Sequence, residues 1–293
     1  YSNSRIKPIS LDGLNPMQRE AAEHVNGPLL VVAGAGSGKT RVLTHRIAHL
    51  ISNHGVSPMN VLAITFTNKA AGEMKHRVES LIGPVAKSMW VSTFHSACVR
   101  ILRVHAERIG YPKTFSIYDQ ADAQRLTGYV IRDMGLDVKR FTPRAVHAVI
   151  SNWKNELVSP TQAAEQAAHI FDRKHSEIYR EYQERLLKAG AMDFDDLLVN
   201  VVRLFRMHPD VLASYQDRFK YILVDEYQDT NIAQNEIVLS LAARHHNVCV
   251  VGDTDQSIYA FRGADFRNIG QFEDAFDEVS VVVLEQNYRS TQN

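Results

Sequence analysis

Short runs of apolar and β-branched residues recur along the chain at 29–33, 60–66, 89–93, 220–224, 247–252 and 279–284, each breaking off at polar or glycine-rich positions. Runs of this length and unbroken apolar character predict strands buried on both faces. Between the early runs the period lengthens to that of amphipathic helices, at 16–24, at 41–53, after Ala71 to about 82, and after Ser96 to about 108. Asn15-Pro16 opens the first of these as cap and first-turn residue, and Gly83 follows the end of the third. Strands alternating with helices predict a parallel sheet with functional groups at the strands' C-terminal ends.

From about 113 to 190 the strand signal nearly vanishes apart from 114–118, and helices are predicted at 119–134, 142–155 and, in one or two pieces, 159–189. This stretch reads as an all-helical insertion within the α/β domain. Its charges alternate in sign, as in Asp172-Arg173-Lys174, which is the pattern of a solvated helix face. Asp193-Phe194-Asp195-Asp196 then starts another helix, and N-capping accounts for its carboxylates without a metal.

Chemistry concentrates where the first run ends, in Ala33-Gly34-Ala35-Gly36-Ser37-Gly38-Lys39-Thr40-Arg41. Strand, glycine-rich loop and helix form the context of a phosphate-binding loop. The glycines let successive N–H groups face a phosphate at a helix N-terminus. Lys39 brings charge to the outer phosphates and the Thr40 hydroxyl can ligate Mg²⁺. Ala33 stands where the strict motif has glycine, which puts the opening bend in question but removes no ligand. The run at 220–224 supplies the other half by ending in Asp225-Glu226. Asp225 would hold Mg²⁺ through its water shell, and Glu226 would accept a proton from the attacking water.

Other groups sit at strand ends or nearby. Gln18, on the helix before the loop, has the donor and acceptor to read an adenine edge. Phe66, Phe94 and His95 are placed to stack on bases, although plain core packing is the more ordinary fate of such rings. Gln256 is placed to sense a γ-phosphate, with Tyr259, Phe261 and Arg262 following closely, and Arg289 is placed to act as an arginine finger.

Composition narrows the picture modestly. The 293 residues suffice for two domains or for one motor domain with a large insertion, and 45% hydrophobic with 23% charged residues describes an ordinary globular protein. Lys+Arg and Asp+Glu are both 33, so any basic groove must be local. Two distant cysteines, Cys98 and Cys249, suit a reducing cytosol. No apolar run is long enough to span a membrane, and the polar start lacks the core of a secretory signal.

Taken in order, Gln18, the loop Ala-Gly-Ala-Gly-Ser-Gly-Lys-Thr, Thr-Phe-Thr-Asn-Lys-Ala-Ala (65–71), Val-Asp-Glu-Tyr-Gln-Asp-Thr (224–230), Gly-Asp-Thr-Asp-Gln-Ser-Ile-Tyr (252–259) and Gln-Asn-Tyr-Arg-Ser (286–290) resemble the UvrD/PcrA/Rep group of superfamily 1 DNA helicases, the bacterial UvrD/PcrA branch most of all. The resemblance implies an α/β, RecA-like P-loop motor domain at 1–112 and 190–293, interrupted by an inserted helical subdomain at 113–189. It also implies a second motor domain that this chain does not contain. The expected activity is ATP- and Mg²⁺-dependent 3′→5′ movement on single-stranded DNA and duplex junctions, in repair or replication and alongside their proteins, in a bacterial cytoplasm at the nucleoid. By the same resemblance Gln18 reads adenine, Tyr288 stacks on it, and Gln256 and Arg289 contact the γ-phosphate. Phe66, Tyr259, Phe261 and Arg262 lie along the DNA path, with Phe94 and His95 less firmly assigned. Phe261 replaces a common tryptophan and keeps a face for stacking. A DNA-binding switch that does not travel is the alternative, and it has no need of Glu226. A small-molecule kinase would explain the loop but neither Asp225-Glu226 nor the aromatic block. This segment alone is expected to bind ATP weakly, to hydrolyse it slowly, and not to unwind DNA.

Overall fold

The computed structural model describes residues 6–253 and 267–284. The chain begins with α1 (Pro16–Glu23), β1 (Leu29–Ala33), α2 (Lys39–His54), β2 (Val61–Thr65), α3 (Asn68–Ile82), β3 (Trp90–Thr93) and α4 (Phe94–His105). Then come β4 (Ser116–Tyr118), α5 (Gln120–Asp133), α6 (Pro143–Asn155), α7 (Pro160–Glu165), α8 (Ile170–Lys188), β5 (Ala191–Asp193), α9 (Phe194–Met207) and α10 (Pro209–Arg218). It continues through β6 (Tyr221–Val224), α11 (Ile232–Ala242), β7 (Val248–Asp253), α12 (Arg267–Ala275) and β8 (Ser280–Val283).

The described residues form two compact units. The first, residues 6–94, 212–230, 238–253 and 267–284, is built on a six-stranded sheet in the order β3-β2-β6-β7-β1-β8, every neighbouring pair parallel. This is the mixed α/β architecture of a RecA-like motor. Leu29, Val31, Val61 and Ala63 are fully buried, as the unbroken apolar runs require. Helix α2 sends Leu43, Ile47 and Ile51 into the same core, and α3 sends Met74, Val78 and Ile82. The four-residue spacing places each set on one helix face. Burial of each such side chain contributes about 1.5–3 kcal/mol. Register levels the strand ends: Ala33 pairs with Asp253, and Ile64 with Val224. The phosphate loop, Asp225 and Phe66 therefore all leave the sheet along one edge.

The second unit comprises His95–Val211 and Asn231–Ile237. Val130, Ile131, Ile150, Tyr182 and Leu186 are among its buried core. It also contains a two-stranded parallel sheet, with Ser116 opposite Ala191 and Tyr118 opposite Asp193. Strand β5 was not expected: three residues are too few to carry a period. The helix expected to run to about 108 ends at His105 and gives way to a 3₁₀ turn, Ala106–Ile109, before Gly110 at φ 89°.

Capping proves to be only part of the work of the 193–196 carboxylates. Asp193 and Asp196 do form a reciprocal capping box on α9, with side-chain to backbone distances of 2.8 and 3.0 Å. Both also hold the fully buried Lys154 ammonium, at 2.7 and 2.9 Å, and the Tyr182 hydroxyl donates to Asp193 at 2.7 Å. Burial opposes the Lys154 charge, and the two carboxylates outweigh it, so the Lys154 pKa is raised. Among the described residues no helix is long and apolar enough to cross a membrane.

Candidate nucleotide-binding site

The loop between β1 and α2 owes its shape to two glycines. Gly36 lies at φ 72° and Gly38 at φ 76°, in the left-handed region that favours glycine. A Cβ on Gly38 would also stand 2.7 Å from Gln18 Nε2, so this position excludes a side chain twice over. Ala33, by contrast, is the last residue of β1, paired in the regular ladder, and no glycine is needed there. Ser37 closes the turn with its N–H on the Gly34 carbonyl at 3.2 Å, while its own hydroxyl is buried without a partner. Helix α2 starts at Lys39, so its positive dipole end faces the loop.

Gln18 is buried and committed to this loop. Its Nε2 donates to the Ser37 carbonyl at 2.9 Å, and its Oε1 accepts from the Asn15 N–H at 3.0 Å in the α1 capping box. Helix α1 is in turn held to α2 by Arg46, whose buried guanidinium donates to the carbonyls of Ala21, at 3.1 Å, and His24. Burial holds the Arg46 pKa below its usual value.

The carboxylates that end β6 meet the loop. Lys39 Nζ is paired with Glu226 Oε1 and lies 3.6 Å from Asp225 Oδ1. Burial lowers the Lys39 pKa, but the hydrogen bond it donates to Glu226 and the charges of Asp225, Glu226 and Asp253 carry it upward, so the ammonium stays charged. The Asp225 carboxyl is held above the usual range by burial, with Lys39 pulling it back and Glu226 adding to the rise. Glu226 Oε2 accepts from Gln228 Nε2 at 2.6 Å, and Gln228 Oε1 accepts from the Asp253 N–H at 3.0 Å. In front of the loop lies a cleft of about 440 Å³, lined by residues 33–41 together with Arg77 and Asp253. Thr40 and Arg41 are therefore both at the cleft, and the Arg41 guanidinium lies against Gly13.

The structure thus brings together Gln18, residues 33–41, Asp225 and Glu226. Phe66 and Phe94 meet edge to face, centroids 5.8 Å apart, but Phe94 is buried and only Phe66 is half-exposed. His95, in the second unit, faces Phe194 edge-on at 6.2 Å, and burial lowers its pKa. Gln256, Tyr259, Phe261, Arg262, Tyr288 and Arg289 lie outside the described residues. Sequence reasoning gave no role to Gln228, Arg77 or Asp253. Gln228 and Asp253 each stood inside a quoted motif, whereas Arg77 carried no signal beyond its place on α3.

Residues 14–277 match the family described as the UvrD/REP helicase N-terminal domain. The chain is 54% identical over 282 residues to ATP-dependent DNA helicase PcrA of Bacillus subtilis, covering 96% of this chain and 38% of that protein. It is 54% identical over 294 residues to ATP-dependent DNA helicase UvrD1 of Mycobacterium bovis, covering 97% and 38%. With PcrA of Staphylococcus aureus the identity is 52% over 282 residues, covering 96% and 39%. The chain therefore spans less than two fifths of the length of these relatives. Likeness that runs from the capping residues of α1 past the end of α12, with more than half of all positions shared, is far more than a common phosphate loop, and the chain belongs to the UvrD/REP helicase N-terminal domain family.

Proposed function

We propose that this chain is the first RecA-like motor domain, with its inserted helical subdomain, of an ATP-dependent DNA helicase that moves 3′→5′ on single-stranded DNA in repair or replication. The observation that carries the reading is the Lys39 ammonium held between Asp225 and Glu226 at the mouth of the phosphate loop. A lysine able to neutralise phosphates and a pair of carboxylates able to handle a metal and a water then share one cleft. The motor would comprise 1–112 and 190–293 and the insertion 113–189; the compact second unit takes in that insertion together with the segments that flank it, 95–112 and 190–211.

The residues fit Mg·ATP. Left-handed glycines open the loop, Ser37 offers an unsatisfied hydroxyl, and the cleft lies against a helix N-terminus. Thr40 and Asp225 would hold Mg²⁺, which supplies charge neutralisation along the triphosphate. Lys39 exchanges its carboxylate partners for the outer phosphates. Glu226, released from that pair, takes the proton of the attacking water. Gln256 and Arg289 would contact the γ-phosphate and Gln18, Arg41 and Tyr288 the adenine side. Phe66, Tyr259, Phe261 and Arg262 would lie on the DNA path, and His95 and the buried Phe94 less directly so. The support for these last roles is the family resemblance.

The test is ATP hydrolysis by the intact protein with and without single-stranded DNA, beside Glu226→Gln. Strong stimulation by DNA, and a loss on the order of 10²–10⁴ in rate in the variant, is expected. Turnover indifferent to DNA would replace the motor with a nucleotide-dependent binding module.

A further inference from the structure

Gln228 follows the two carboxylates in the block 224–230, and its side chain reaches Glu226, the end of β7 and, through Nε2 at 3.5 Å, Asp229 Oδ2. Its Nε2 donates to Glu226 Oε2 at 2.6 Å, and its Oε1 accepts from the Asp253 N–H, at the end of β7, at 3.0 Å. The second bond dictates the first. A backbone N–H only donates, so the amide oxygen must face Asp253 and the NH₂ group must face Glu226.

Glu226 requires such a hold. It lies at φ 52°, a region that a residue with a long side chain visits only where its surroundings over-determine it. Its N–H donates to Asp225 Oδ1 at 2.8 Å, its carbonyl accepts from the Asp229 N–H at 2.9 Å, and its Oε1 is paired with Lys39. In the function proposed above, phosphates draw Lys39 away, and Gln228 is then the tie left on the carboxylate. We propose that Gln228 is a positioning residue for turnover: it aims the Glu226 carboxylate and locks it to the end of β7, and it adds nothing to nucleotide affinity. The inference rests on Glu226 being the base.

Gln228→Glu isolates the effect, because it keeps the size and leaves an oxygen for the Asp253 N–H but turns the donor facing Glu226 into a second carboxylate. Single-turnover ATP hydrolysis, equilibrium ATP affinity and Tm are measured on the intact protein, with Gln228→Met and Glu226→Gln alongside. Gln228→Glu should slow turnover on the order of 10²-fold while affinity and Tm hold. A tie that merely braced the turn against β7 would not produce that split, since the Asp253 bond survives. Turnover at the wild-type rate, or affinity falling in step with turnover, overturns the inference. Should Gln228→Glu fail to fold, Gln228→Met decides: slowed turnover at unchanged affinity supports the positioning role, and undiminished turnover ends it. Collapse of Glu226→Gln beside a normal Gln228→Glu removes the inference alone. Normal turnover in Glu226→Gln removes the base assignment, and the inference with it.

Discussion

At Gly38 two independent constraints fall on one atom that is not there. The backbone is left-handed, and Gln18 Nε2 occupies the space a methyl group would need. Gly38→Ala should therefore cost more than the ~1–2 kcal/mol of the backbone conformation alone and should uncouple Gln18 from the loop. A fall in ATP affinity larger than the fall in Tm would show it. Asp195 is a second residue with a readable consequence. Burial first, and then the charge of Asp193, raises its carboxyl to about 6. A folded-state pKa above the ordinary aspartate value of 3.8 means that the folded chain keeps a proton the unfolded chain releases. This contribution to stability is complete below about 4 and is lost as the pH climbs to about 6. Asp195→Asn has no charge to bury, so at pH 7 it should be more stable than the parent by about 1–2 kcal/mol, after the lost helix-dipole interaction is subtracted. At pH 4 the two should converge in denaturant titrations.

Elements show where sequence was informative and where it was not. Strands β1, β2 and β7 were legible because burial on both faces leaves an unbroken apolar run, and α2 and α3 because their core side chains recur every four residues. Lys154 was not, since a lysine near a helix end reads as solvated until two carboxylates from the start of another helix are placed against it. The hydrogen bonds of Gln18 and Gln228 were opaque for a related reason: an amide's neighbours, and thus which end of it is used, are set by tertiary structure. The buried ion pairs make a sharp expectation. Lys154→Met leaves Asp193 and Asp196 without compensation and should destabilise the protein by about 3–5 kcal/mol. Adding Asp193→Asn and Asp196→Asn should restore part of that loss in chemical denaturation. Arg46→Met acts on a different element. It leaves the carbonyls at the end of α1 unpaired, so α1 should loosen from α2 and ATP affinity should fall with it, visible as faster amide exchange across 18–24.

In the function proposed above, the chain is one half of a nucleotide clamp and is expected to behave as half. The segment 1–293 alone should bind ATP weakly, turn it over slowly, and give no strand separation in an unwinding assay. A robust unwinding signal from the purified segment would overturn that expectation.

The strand order also governs how the chain comes to be folded during synthesis. Leu29, on the strand that carries the phosphate loop, pairs with Cys249 on one side and Ser280 on the other, both more than two hundred positions later. Neither neighbour exists while the loop is emerging from the ribosome. At 5–20 residues per second, roughly 10–40 s separate the appearance of that strand from its first partner. The helical stretch between them, rich in local contacts, can be complete long before. A nascent chain therefore carries an exposed, apolar, unpaired strand until residues 248–253 have been made, which makes it a client for ribosome-associated chaperones over that interval.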